Sequence, residues 1–105
     1  MRQIVKDAKK VDELYYIFIS SDDMTWDQVE DLLPDSYILS EAKYRLYIVE
    51  EMLSDLDKQD EAYKDWSKDH KQLQKFIKKY EGKCVPHKNE GITYEELRDK
   101  YIYVK

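Results

Sequence analysis

The sequence predicts an all-α fold, a small helical bundle of four to five helices built around an antiparallel helical hairpin. Three observations predict it. Only two glycines and two prolines occur in 105 residues, so few positions can form the tight turns that many short strands require. Apolar residues recur at steps of three and four along most of the chain. Two threonine-led capping boxes stand where helices would begin.

Taken in order, Ile4, Ala8, Val11, Leu14 or Tyr15, and Phe18 share one face and predict a helix over residues 3–19. Its end, Leu14 to Ile19, is rich enough in aromatic and β-branched residues for a strand to be the alternative there. Ser20 to Asp23 is a polar turn, and Thr25-Trp26-Asp27-Gln28 opens a short helix that must stop near Leu33, ahead of Pro34.

The clearest periodicity follows. Leu39, Ala42, Leu46, Val49, Leu53 and Leu56 form one seam, and Tyr63, Trp66, His70, Leu73, Ile77 and Tyr80 form a second that is out of phase with the first. One long helix with a phase slip would explain this, as would a turn at Asp57-Lys58-Gln59-Asp60. A chain of this length needs its helices to fold back to build a core, so a hairpin of 36–57 and 61–81 is the reading adopted. Gly82 stands where a left-handed cap would end the second helix, after the cationic Lys78 and Lys79. Residues 83–92 are a loop, and Thr93-Tyr94-Glu95-Glu96 opens a last helix over 94–101. The alternative for Tyr101 to Val104 is a short extended segment that closes the chain.

Length and composition bound the function. One domain over 1–105 is expected, because two would each be too small for a dependable core. No apolar run approaches the roughly 20 residues that span a bilayer, so no membrane partner is expected. A single cysteine, Cys84, allows no internal disulfide and fits a reducing, cytoplasmic setting.

No catalytic, metal or cofactor site is expected either. Cys84-Val85-Pro86-His87 has the spacing of half a zinc site, but the other histidine, His70, lies on a helix seam. As a nucleophile pair the same loop lacks an orienting group and an oxyanion site. The run from Asp55 to Asp60 begins like a calcium loop and then fails, with Asp60 where glycine belongs and Trp66 where the bidentate glutamate belongs. Phosphate loops, dinucleotide glycine patterns and nucleophile elbows do not occur.

Charge is more informative. The net −5 divides into +3 over residues 1–10, −12 over 11–62 and +4 over 63–105. Within the acidic segment Tyr37, Tyr44, Tyr47 and Ile48 lie opposite the leucine seam, flanked by Glu41, Glu50, Glu51 and Asp55. Either a neighbouring helix covers them or they form an interface, since tyrosines favour hot spots and carboxylates select a basic partner.

The expected function is therefore a non-catalytic protein-binding module, an inhibitor or regulator of a larger, nucleic-acid-handling enzyme with a basic surface. Small phage-encoded DNA-mimic inhibitors offer an analogy of composition and size only. Two rivals remain. The stripe Lys64, Lys68, Lys71, Lys75 and Lys78 would contact nucleic-acid phosphates directly, if it is not neutralised by the acidic helix across the hairpin. Alternatively the heptads pair between chains and the protein is a homodimer or larger assembly.

Overall fold

A computed structural model of the chain describes residues 1–97 and 99, and it is an all-α bundle with no strand among the described residues. The helices are α1 (Gln3–Ala8), α2 (Asp12–Tyr15), α3 (Trp26–Leu32), α4 (Asp35–Asp55), α5 (Glu61–Tyr80) and α6 (Tyr94–Leu97). A π-helical turn, Tyr16–Ser21, continues α2.

The long helices α4 and α5 form the antiparallel hairpin, joined by the polar turn that the sequence predicts. Asp57 receives the amides of Gln59, through its side chain, and of Asp60, through its carbonyl. Asp60 then caps α5 by accepting from the Ala62 amide at 2.9 Å. Cross-hairpin contacts from Lys43 to Glu81 and from Glu50 to His70 pair the two runs within one chain. Gly82 adopts φ 76°, the left-handed conformation expected just past the end of α5.

Residues 3–19 do not form the single helix that their periodicity predicts. Val11 is extended, with φ −102° and ψ 111°, and divides the segment into α1 and α2. The break has a tertiary cause. Gln72 of α5 accepts the Asp12 amide at 3.2 Å, satisfying a donor at the new N-terminus, and Asp12 and Glu13 suit the positive end of α2. Bending lets one apolar stripe follow the core instead of leaving it, so Ile4, Val5, Ala8, Val11, Leu14 and Phe18 are all buried. The aromatic, β-branched end of the segment becomes the π-turn rather than a strand, with the Asp22 amide donating to Ile17 O at 3.2 Å.

The capping box of α3 is complete. The Gln28 amide donates to Thr25 Oγ1 at 3.1 Å, and the Thr25 amide donates to Gln28 Oε1 at 2.9 Å. For α6, Thr93 Oγ1 accepts from the Glu96 amide at 3.2 Å. The rest of the predicted last helix, with the alternative extended segment Tyr101 to Val104, lies outside the described residues apart from Asp99.

The core runs through all six helices and is capped at its margins by half-buried Trp26, Leu46, Leu53, Trp66 and Tyr80. Phe76 is buried beside Leu73 and Ile77, although it falls outside the predicted seam. The reason is that α5 packs against α1 and α2 as well as α4, and so buries a wider face than a two-helix seam requires. No described helix is long and apolar enough to cross a membrane.

Candidate protein-binding surface

The outer face of α4 is set by where the other helices cannot reach. Leu39, Ala42 and Val49 turn inward, while Arg45 reaches to α2 and donates through Nε to Glu13 Oε2 at 2.8 Å. Residues spaced three and four apart on the opposite side therefore meet solvent. Tyr44 is 60% exposed, Tyr47 57% and Met52 41%, beside half-buried Ile48. Glu51 and Asp55 are exposed on the same face. The Glu51 carboxylate accepts from the Tyr47 hydroxyl and raises its pKa, chiefly through that hydrogen bond. Ser54 Oγ donates to Glu51 O at 2.8 Å within the helix.

Three other members of the expected interface have local partners. Tyr37 is half-buried against the core and donates its hydroxyl to Glu41 Oε1 at 2.9 Å. Glu50 lies toward α5, with its carboxylate 3.2 Å from His70 Nε2. The exposed surface thus gathers around Tyr44, Tyr47, Ile48, Glu51, Met52 and Asp55. Two aromatic residues of the predicted first helix are also exposed, Tyr15 at the end of α2 and Tyr16 at the start of the π-turn. The Arg45 guanidinium carbon sits 5.8 Å from the Tyr16 ring centroid, which links that ring to α4. Met52 was legible as the residue one turn beyond Ile48, and Tyr16 as a residue off the apolar face predicted for the first helix.

Among the acids of residues 11–62, two sets differ in their surroundings. Glu13, Glu30 and Asp35 are spent inside the fold on Arg45 and Arg2, and Asp31 pairs with Lys88 at 3.0 Å. Glu51, Asp55, Asp57, Asp60 and Glu61 are exposed and have no ion pair among the described residues. They make the far end of the hairpin acidic.

The lysine stripe does not fold back on these acids. Lys64, Lys68, Lys71, Lys75 and Lys78 are all exposed, and none forms an ion pair among the described residues. The two hairpin helices thus present surfaces of opposite sign.

The Cys84-to-His87 loop is held by structural bonds. The Val85 amide donates to Asp35 Oδ2 at 3.4 Å, the Asn89 amide donates to His87 Nδ1 at 3.0 Å, and buried Asn89 donates through Nδ2 to Leu32 O at 2.8 Å. Desolvation, then Asp35 and Glu90, push the Cys84 thiol pKa up, which opposes formation of the thiolate that nucleophilic or metal chemistry requires. No group of three or more potential metal ligands occurs among the described residues.

Comparison with known proteins finds no matching family model, no matching curated sequence and no matching solved structure.

Proposed function

We propose that the protein is a non-catalytic binding module that engages a basic surface on a larger protein through the outer face of α4, acting as its inhibitor or regulator. The observation that carries this reading is the exposure of Tyr44 and Tyr47, at 60% and 57%, beside Glu51 and Asp55. Large aromatic groups left in water gain free energy when a partner covers them, at roughly 25 cal/mol for each Å² of apolar area removed. They also lose few rotamers on binding. Carboxylates around them add selectivity for a cationic partner more than raw affinity.

In its sharper form, the acidic ridge that continues from α4 round the turn to Glu61 stands in for the phosphates of a nucleic acid, occupying a nucleic-acid groove on its target. What supports this form is that these acids form no ion pair with the lysine stripe among the described residues. The test is a lysate pull-down with wild type and with Tyr44→Ala plus Glu51→Lys, bound proteins being eluted on a salt gradient. Nucleic-acid-binding proteins held by the wild type and lost by the variant are the expected result. Identical partner lists would overturn the assignment of this face.

A further inference from the structure

Between the end of α1 and the C-terminal half of α5 lies an open cleft of about 310 Å³. Val11, Phe76 and the ring of Tyr80 supply its apolar wall. Its rim carries three amines, Lys10 on one side and Lys75 and Lys79 on the other. Lys79 is already engaged. Its Nζ donates to Asp7 Oδ2 at 2.6 Å, and the Tyr80 hydroxyl donates to the same oxygen. Those two hydrogen bonds, Lys79 first, lower the Asp7 pKa to about 2. Asp7 is therefore a fixed anion that balances Lys79 and holds the Tyr80 ring in the wall.

Lys10 and Lys75 have no such partner: neither forms an ion pair among the described residues. Gln72, also on the lining, turns Oε1 to the Asp12 amide, which leaves its Nε2 donor unused among the described residues. The cleft thus combines two uncompensated cations and a free amide donor with an apolar wall. An uncharged apolar ligand would leave the two amines without a counter-ion, and a bare phosphate would leave the wall uncovered. The volume is at the lower end of small-molecule sites, which run from about 300 to 1,000 Å³.

We propose that this cleft binds a nucleoside phosphate, with the phosphate between Lys10 and Lys75 and the base against Val11, Phe76 and Tyr80. The site is separate from the α4 face and does not depend on its role. The same chemistry comes from a free mononucleotide or from one nucleotide of a single strand, whose following phosphates would run along Lys71, Lys68 and Lys64.

Backbone-amide NMR shifts at low salt test the site, with AMP, inorganic phosphate and a short oligothymidylate as probes. AMP is expected to move the amides of residues 7–11 and 72–80, and phosphate to bind about tenfold or more weakly. Lys10→Gln with Lys75→Gln should weaken AMP about tenfold, while Lys64→Gln with Lys68→Gln leaves it unchanged. Both pairs are exposed surface residues, so the fold should survive either change. An oligonucleotide that binds more tightly than AMP and responds to the Lys64 and Lys68 changes identifies the single strand as the source; equal or tighter AMP binding identifies the free nucleotide. Absence of cleft shifts with both AMP and oligonucleotide, phosphate binding as strongly as AMP, or equal weakening of AMP by the two variants would each overturn the proposal.

Discussion

The Arg2 guanidinium donates to Asp35 Oδ1 at 2.5 Å while its other amine donates to Leu33 O at 2.7 Å and Glu30 O at 2.9 Å. One side chain at the start of the chain therefore satisfies the open carbonyls at the end of α3 and the carboxylate at the start of α4. The Arg2 amide adds bonds of 3.1 Å to both oxygens of Glu30. Removing the guanidinium leaves Asp35, nearly buried, without its counter-charge. Arg2→Ala should cost about 2–4 kcal/mol, read as a lower urea midpoint with an unchanged slope. Arg2→Lys should recover only part of this, because a single ammonium cannot reach the same set of acceptors.

Stability and the proposed interface are carried by different faces of the hairpin. Leu73 is fully buried, and Leu73→Ala should cost about 2–5 kcal/mol through lost burial and the cavity left behind. Tyr44→Ala and Tyr47→Ala remove exposed rings and should stay within about 0.5 kcal/mol of wild type. Urea unfolding of the three variants checks this. A large loss for Tyr44→Ala would mean that the ring packs within the fold rather than waiting for a partner.

The α3 capping box offers a local test. Thr25→Ala deletes the acceptor that receives the Gln28 amide at 3.1 Å and should cost about 1 kcal/mol. Thr25→Gly should cost less, since water reaches the freed amide. Thermal unfolding monitored by circular dichroism distinguishes the two.

What was legible in the sequence was what is encoded locally. The two long helices, the turn at Asp57 to Asp60, the Gly82 cap and the Thr25 box each depend on residues within one or two turns of each other, while the pairing of the helices followed from the length of the chain. The break at Val11 was not legible, because Gln72, which accepts the Asp12 amide, and Arg45, which donates to the Glu13 carboxylate, lie far along the chain. Arg2 contributes to the basic N-terminal segment, but nothing in its neighbourhood indicates that it closes a corner about thirty residues away. The surplus of tyrosine was visible in composition alone. Which rings stay in water was not: Tyr37 and Tyr44 occupy the same predicted face, yet Tyr37 is half-buried and Tyr44 is exposed. The lysine cleft was also hidden, since Lys10 and Lys75 meet only through the packing of α1 on α5.

Two aspartates shape the pH dependence of stability in opposite directions. Asp69 is pushed up to about 6, first by desolvation and then by Glu13, with Asp12 and Asp65 adding to the effect. Between the unfolded value near 4 and the folded value near 6, the folded state holds a proton that the unfolded state has lost. Stability from this group is thus present at low pH and is lost as pH rises through about 6. Asp7, lowered to about 2, has the opposite sign: its contribution is present above about 4 and is lost as pH falls through about 2. The joint contribution of these two groups is therefore greatest near pH 4 to 5 rather than at neutrality. Asp69→Asn should raise stability at pH 7 and flatten the decline between pH 4.5 and 7, because the carboxylate facing Glu13 is gone. Asp7→Asn should instead lower stability at neutral pH and flatten the acid limb, since Lys79 and Tyr80 lose their shared acceptor. Urea midpoints of the three proteins from pH 2.5 to 7.5 decide it: a wild-type midpoint that rises steadily from pH 4.5 to 7.5 would refute the role given to Asp69.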